Sequence, residues 1–143
     1  MELKKLYEIS EKEHISVINF KMKNKAIIGQ INNVCCIGLN YSKISNSREE
    51  KELLAEELGH YYYDAFYTAS TDISTIEQKE YKANKWKCIA LISLKDFKTA
   101  FQQGLRNIFE IADYFNISPK TVEFAYNYYT ENDLLKTNAI DSI

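Results

Sequence analysis

The sequence predicts an α+β fold, mostly helical, with a small antiparallel sheet set ahead of a central helix. Three observations carry that expectation. β-prone runs are confined to residues 15 to 40, helical periodicity brackets them on both sides, and one proline with four glycines in 143 residues leaves no hinge between the parts. Length and composition fit one domain with a real core. Hydrophobic residues make up 45% of the chain, with eleven tyrosines and seven phenylalanines, far too apolar for a disordered polymer. The organisation expected is a single domain over 1–143, with the sheet and motif helices in a core over 1–103 and a helical tail over 104–143.

Residues 1 to about 13 place Leu3, Leu6, Tyr7 and Ile9 near one side of a helix. His14 falls near its end, where an imidazolium suits the helix dipole and no catalytic role is assigned. Three short β-prone runs follow, Ile15-Ser16-Val17-Ile18-Asn19-Phe20, Ala26-Ile27-Ile28-Gly29 and Val34-Cys35-Cys36-Ile37-Gly38-Leu39, the last two joined across Asn32-Asn33. Ser47-Arg48-Glu49-Glu50 then has the S-x-x-E pattern that satisfies the free amides at a helix start. That helix is expected to run to about Phe66. Its core stripe is Leu54, Leu58, Tyr61 and Ala65, and beside it Glu57, His60 and Asp64 form a second stripe able to reach a cleft. Further helices are expected near 76–92, 95–102, 106–115 and 119–130.

Composition excludes several classes of function. A formal charge of −2, with acids and bases mixed along the chain, gives no electrostatic footprint for non-specific nucleic-acid binding. No segment approaches the ~18 apolar residues of a membrane span, and Met1-Glu2-Leu3-Lys4-Lys5 leads into an amphipathic pattern rather than a signal peptide. A cytoplasmic protein is expected. Three cysteines, Cys35, Cys36 and Cys88, suit neither a disulfide framework nor a CxxC knuckle; Cys35 and Cys36 would point to opposite faces of a strand and are read as small buried hydrophobes.

The segment that carries chemistry is Leu53-Leu54-Ala55-Glu56-Glu57-Leu58-Gly59-His60, one residue away from the helix-borne HExxH pattern of zinc peptidases. Side chains four apart on a helix sit one turn above each other, so positions 56 and 60 can bite one ion while position 57 leans toward the attacking water. Glu57 is then the general base, taking the proton of that water and passing it to the leaving amine. A third ligand must come from elsewhere, and Glu80 in Glu80-Tyr81-Lys82-Ala83-Asn84-Lys85-Trp86 is the best placed. Ala83, one turn along, is small enough to let this helix come close.

Position 56 should hold histidine and holds glutamate, which leaves three readings. Glu56 is a ligand in a site of one imidazole and two carboxylates, whose charge cancels a divalent cation and slows the hydrolase. Alternatively Asp64 joins His60 and Glu80 in its place, since eight helical residues put Glu56 and Asp64 ~12 Å apart. In the third reading no metal binds and the domain recognises its partner without cutting it. The first is preferred. An ExxH pair on a helix is usually a solvated face, and the acid-rich stretch from Glu49 to Glu57 invites that view; the downstream glutamate helix outweighs it.

With Ala55-Glu56-Glu57-Leu58-Gly59-His60-Tyr61-Tyr62 and Glu80-Tyr81-Lys82-Ala83-Asn84-Lys85-Trp86 in view, the chain resembles the ImmA/IrrE metallopeptidases. The second segment looks like that family's E-x-x-A-N/R-x-F/W. Element order is similar over nearly the whole chain. The resemblance implies a zincin-like fold and a zinc-dependent endopeptidase from a phage or other mobile element, acting on a helix-turn-helix repressor. Carried over by position, it implies Glu57 as base, His60 as ligand and Glu80 as the distal carboxylate ligand.

The tail offers a competing function, because Ile111-Ala112-Asp113-Tyr114-Phe115-Asn116-Ile117-Ser118-Pro119-Lys120-Thr121-Val122 itself reads like a helix-turn-helix. Its would-be recognition helix has Lys120 as sole cation, carries Glu123, and is crowded with Phe124, Tyr126, Tyr128 and Tyr129, so phosphate contacts would be scarce. A packing or protein-docking module is expected there rather than a DNA reader. A peptide substrate is expected to add a strand at the sheet edge near Val34 to Leu39. The main alternative to an enzyme is an antirepressor that binds the same partner without metal-dependent cleavage.

Overall fold

Helix α1 spans Leu3–Lys12 and buries Leu6 and Ser10, the Ser10 hydroxyl donating to the Leu6 carbonyl at 2.9 Å. Glu13 caps it and His14 takes φ 59°, a left-handed turn that lets the Ile15 amide return to the Ser10 carbonyl. Ile15 is thereby buried at the entrance to the sheet. In the computed structural model, residues 1–63, 70–136 and 140 are described.

The sheet comprises β1 (Ser16–Asn19), β2 (Ala26–Ile31) and β3 (Val34–Leu39), in the order β1-β3-β2. Its hairpin forms where the sequence places it: Asn32 and Asn33 both adopt positive φ, the requirement of a tight two-residue connection, and Ala26 to Ile31 pair antiparallel with Leu39 to Val34. The expectation of a wholly antiparallel sheet is corrected, because β1 pairs parallel to β3, Ser16 beside Cys36 and Asn19 beside Leu39. The reason is the connection over 20–25, which crosses the end of β3. The Phe20 amide donates to Leu39 O, the Asn40 amide to Lys25 O and the Asn40 side chain to Met22 O. β3 is therefore the central strand. β2 pairs the whole of β3 and β1 pairs Cys36 to Leu39, so of the expected site of strand addition at Val34 to Leu39 only Val34 and Cys35 lack a second neighbour; among the described residues the outer edges of the sheet belong to β1 and β2.

Helix α2 spans Ser47–Tyr62. Its cap is Asn46 rather than Ser47: Asn46 is extended and its side-chain oxygen accepts from the Glu49 amide at 2.9 Å, while Glu49 Oε1 accepts from the Ser45 amide. Tyr63 closes the helix, short of the Phe66 expected; residues 64–69, with Asp64 and Ala65 among them, lie outside the described residues. Leu54, Ala55 and Leu58 are fully buried, and α2 packs against α1 and against the sheet face that carries Ile37 and Leu39. Helix α3, Ile73–Leu91, starts three residues earlier than expected because Asp72 accepts from the Thr75 amide and hydroxyl, both at 2.9 Å.

Helix α4 is Leu94–Gln102, opened by a reciprocal capping box between Ser93 and Asp96. Helices α5 (Ile108–Phe115) and α6 (Pro119–Glu131) are separated by Asn116 in the left-handed region and Ser118, which caps α6 with Pro119 at its first position. The helix-turn-helix pattern of the tail is thus real as local structure. The exposed residues of α6 include Lys120, Glu123, Asn127 and Glu131, which do not make a cationic face.

By its contacts the chain divides into two units, Glu2–Lys87 and Cys88–Ile143 with Met1. Each has its own buried set: Leu6, Ile37, Leu39, Leu54 and Leu58 in the first, Ile92, Phe97, Ile111, Val122 and Tyr129 in the second. No helix among the described residues is long and apolar enough to cross a membrane.

Candidate metal centre

The site is built around a close backbone approach within the first unit. A Cβ at Gly59 would collide with the carbonyl oxygen of Ala83 and stand 3.0 Å from its Cα, so glycine on α2 and alanine on α3 let the two helices meet. One turn before Ala83, Glu80 reaches His60, its Oε1 lying 3.4 Å from the imidazole Nε2. One turn after Ala83, Lys87 reaches back to Glu56 and Glu52. Partners step backward along α2 as α3 advances, so the two helices cross antiparallel. Trp86 stacks on Tyr62, ring centroids 4.9 Å apart, beside this contact.

Glu56, His60 and Glu80 each offer one ligand atom, and these atoms all lie within 4.8 Å of one another. The donor set fits a divalent ion. Ligands ~2.0–2.2 Å from a tetrahedral centre stand about 3.4 Å apart, the spacing already found between His60 and Glu80. The remaining contraction falls on Glu56, a side chain free enough to make it. His60 is 6% exposed, whereas the carboxylates of Glu56 and Glu80 are open enough to meet solvent.

Glu57 lies next to these groups, half-buried on α2. Burial, then the charges of Glu56 and Glu80, push its pKa from the ordinary 4.5 up to about 8. A cation held between those two carboxylates would cancel the charges that raise it.

Of the residues predicted for the site, Glu56, Glu57, His60 and Glu80 are all brought together, and Asp64 lies outside the described residues. The cysteines are not among the grouped ligand atoms, and only Cys88 is buried, whereas Cys35 and Cys36, expected to be buried, are partly exposed. Cys36 lines an apolar hollow on the outer face of the sheet with Ile18, Phe20 and Gly38, and Cys35 takes the opposite face by strand alternation. Two residues escaped sequence reasoning, Lys87 and Glu52. Their signal is helical spacing: Lys87 is seven residues after Glu80 and Glu52 four before Glu56, each on the face already in use.

An α+β frame that lays an ExxH helix against a second helix bearing a glutamate defines a zincin-like metallopeptidase domain. More particularly, the chain belongs to the Peptidase_M78 family, the IrrE N-terminal-like domain, whose family model matches residues 11–127. No curated protein and no solved structure matches the chain. Membership implies a metal, usually zinc in such peptidases, and both motif helices lie inside the matched region.

Proposed function

We propose that this protein is a zinc-dependent endopeptidase that cleaves, and so inactivates, a helix-turn-helix repressor. The observation that carries the reading is the convergence of Glu56, His60 and Glu80 from two helices, with Glu57 beside them. Membership of the peptidase family supports hydrolysis, and the likeness to the ImmA/IrrE peptidases supports the choice of a repressor as substrate.

In this reading Glu56, His60 and Glu80 would hold the ion, which when bound would supply polarisation of the scissile carbonyl and a lowered pKa for the attacking water. Glu57 accepts the proton of that water as it attacks and returns it to the amine as the peptide bond breaks. His60 is held by burial, and Glu80 by the Gly59–Ala83 contact that fixes how deeply α3 sits on α2. In this reading burial and the helix contact preorganise both ligands.

One feature favours a second reading, an antirepressor that binds without cutting. A glutamate stands where the HExxH pattern has histidine, and two anionic ligands lower the power of a divalent ion to acidify water. The test is incubation of the metal-loaded chain with purified repressor, followed by mass spectrometry. Cleavage that falls about 10²–10⁴-fold in Glu57→Gln supports the peptidase. Intact repressor, released from its operator equally by the native chain and by Glu57→Gln, would establish the antirepressor.

A further inference from the structure

Lys87 takes no part in the chemistry above, yet it is drawn deep into the same helix contact. Its side chain is 14% exposed, as is that of Glu52. The ammonium lies 3.5 Å from Glu52 Oε2 and 4.0 Å from Glu56 Oε2. Desolvating a lysine this far is unfavourable unless carboxylates answer it, and here two do, one turn apart on α2. The spacing on α3 is equally specific: Glu80, Ala83 and Lys87 share one face, so the helix that delivers a carboxylate to His60 also delivers an ammonium to Glu56.

Glu56 is the residue that needs such help. An imidazole at that position would present one donor nitrogen on a rigid ring, whereas a glutamate has three side-chain torsions and two equivalent oxygens. Ligands of that kind are oriented by partners outside the coordination shell. We propose that Lys87 is a positioning residue for the metal centre: anchored by Glu52, its ammonium holds one oxygen of Glu56 and leaves the other for the ion. This rests on the reading of Glu56, His60 and Glu80 as ligands. Lys87 also limits the local charge by offsetting one of the carboxylates gathered on this face of α2.

Coulomb's law alone predicts the opposite effect of removing Lys87. Loss of a positive charge near the ion should tighten metal binding, whereas loss of a positioning group should weaken it. The sign of the change therefore decides. Zinc affinity of the full chain, measured by competition with a chromophoric chelator, should fall about 10–100-fold in Lys87→Met. It should stay close to native in Lys87→Arg. The visible spectrum of the cobalt-substituted chain should change in Lys87→Met and not in Lys87→Arg. In a Glu56→His background, where a ring replaces the carboxylate, Lys87→Met should no longer weaken binding.

A native chain that binds zinc while Lys87→Met binds it equally or more tightly overturns this inference and leaves the ligand reading standing. A native chain that takes up no zinc overturns both. If circular dichroism shows Lys87→Met unfolded, Lys87→Gln is measured in its place; weaker zinc binding supports the positioning role, and unchanged or tighter binding refutes it.

Discussion

The two ends of the α2–α3 contact are held by different physics. At the His60–Glu80 end the partners are 3.4 Å apart, the imidazole is buried, and the backbone approach of Gly59 to Ala83 sets the distance. At the Glu56–Lys87 end the ion pair is 4.0 Å long, and the Glu56 side chain is far more exposed than that of His60. One end is fixed by packing and the other by charge. The proposed metal site would then have a rigid half, dictated by close contact of main chains, and a compliant half that Lys87 is proposed to orient. The glutamate in the first motif position falls in the compliant half, where a change of ligand type is tolerated best.

Charge around the site is the largest lever on this comparison. In chelated protein Glu57 keeps its proton up to about pH 8, while in the unfolded chain it gives the proton up near 4.5. The unfolded state then binds fewer protons across that window, so this group lowers stability as pH rises from 4.5 to 8, with no further loss above. Glu57→Gln should remove that loss. The stability of the metal-free chain should rise by several kcal/mol at pH 8, because each pH unit of the window is worth about 1.4 kcal/mol, and should change little at pH 4. Urea unfolding at the two pH values measures it. Equal effects at both would mean that Glu57 feels neither burial nor its neighbours.

Gly59→Ala attacks the rigid half. Its methyl meets the main chain of Ala83 rather than a side chain that can turn away, so α3 must shift; the expected loss is about 1–3 kcal/mol with a fall in zinc affinity. A thermal melt and a zinc titration check the two parts. Retained affinity would show that the site does not depend on the depth of α3. The smallest effect belongs to Trp86→Leu, which removes the stack on Tyr62 and should cost about 0.5–1.5 kcal/mol without altering zinc affinity. A large change in affinity there would extend the rigid half beyond Gly59 and Ala83.

Local patterns were legible in the sequence, and of the long-range pairings the approach of Glu80 to His60 was legible while others were not. Asn32-Asn33 announced the hairpin, Ser118-Pro119 the start of α6, and the Glu57–His60 spacing the motif helix, because each depends on residues within one turn or one strand. The parallel pairing of β1 with β3 depends on how residues 20–25 cross the end of β3, which no period records. Ala83 was recognisable as a small residue, but its partner Gly59 was not, and without that pair the antiparallel crossing that brings Lys87 to Glu56 could not be derived. The shift of the α2 cap from Ser47 to Asn46 reflects two good capping residues in competition, settled by which one stays extended.

The central claim is that this contact makes a metal site from Glu56, His60 and Glu80, and the direct measurement is zinc per chain by elemental analysis. Protein dialysed against zinc and then against buffer should retain about one ion per chain in the native form, with loss in His60→Ala and Glu80→Ala and a partial loss in Glu56→Ala. A folded native chain that comes through the same dialysis free of zinc would contradict the account.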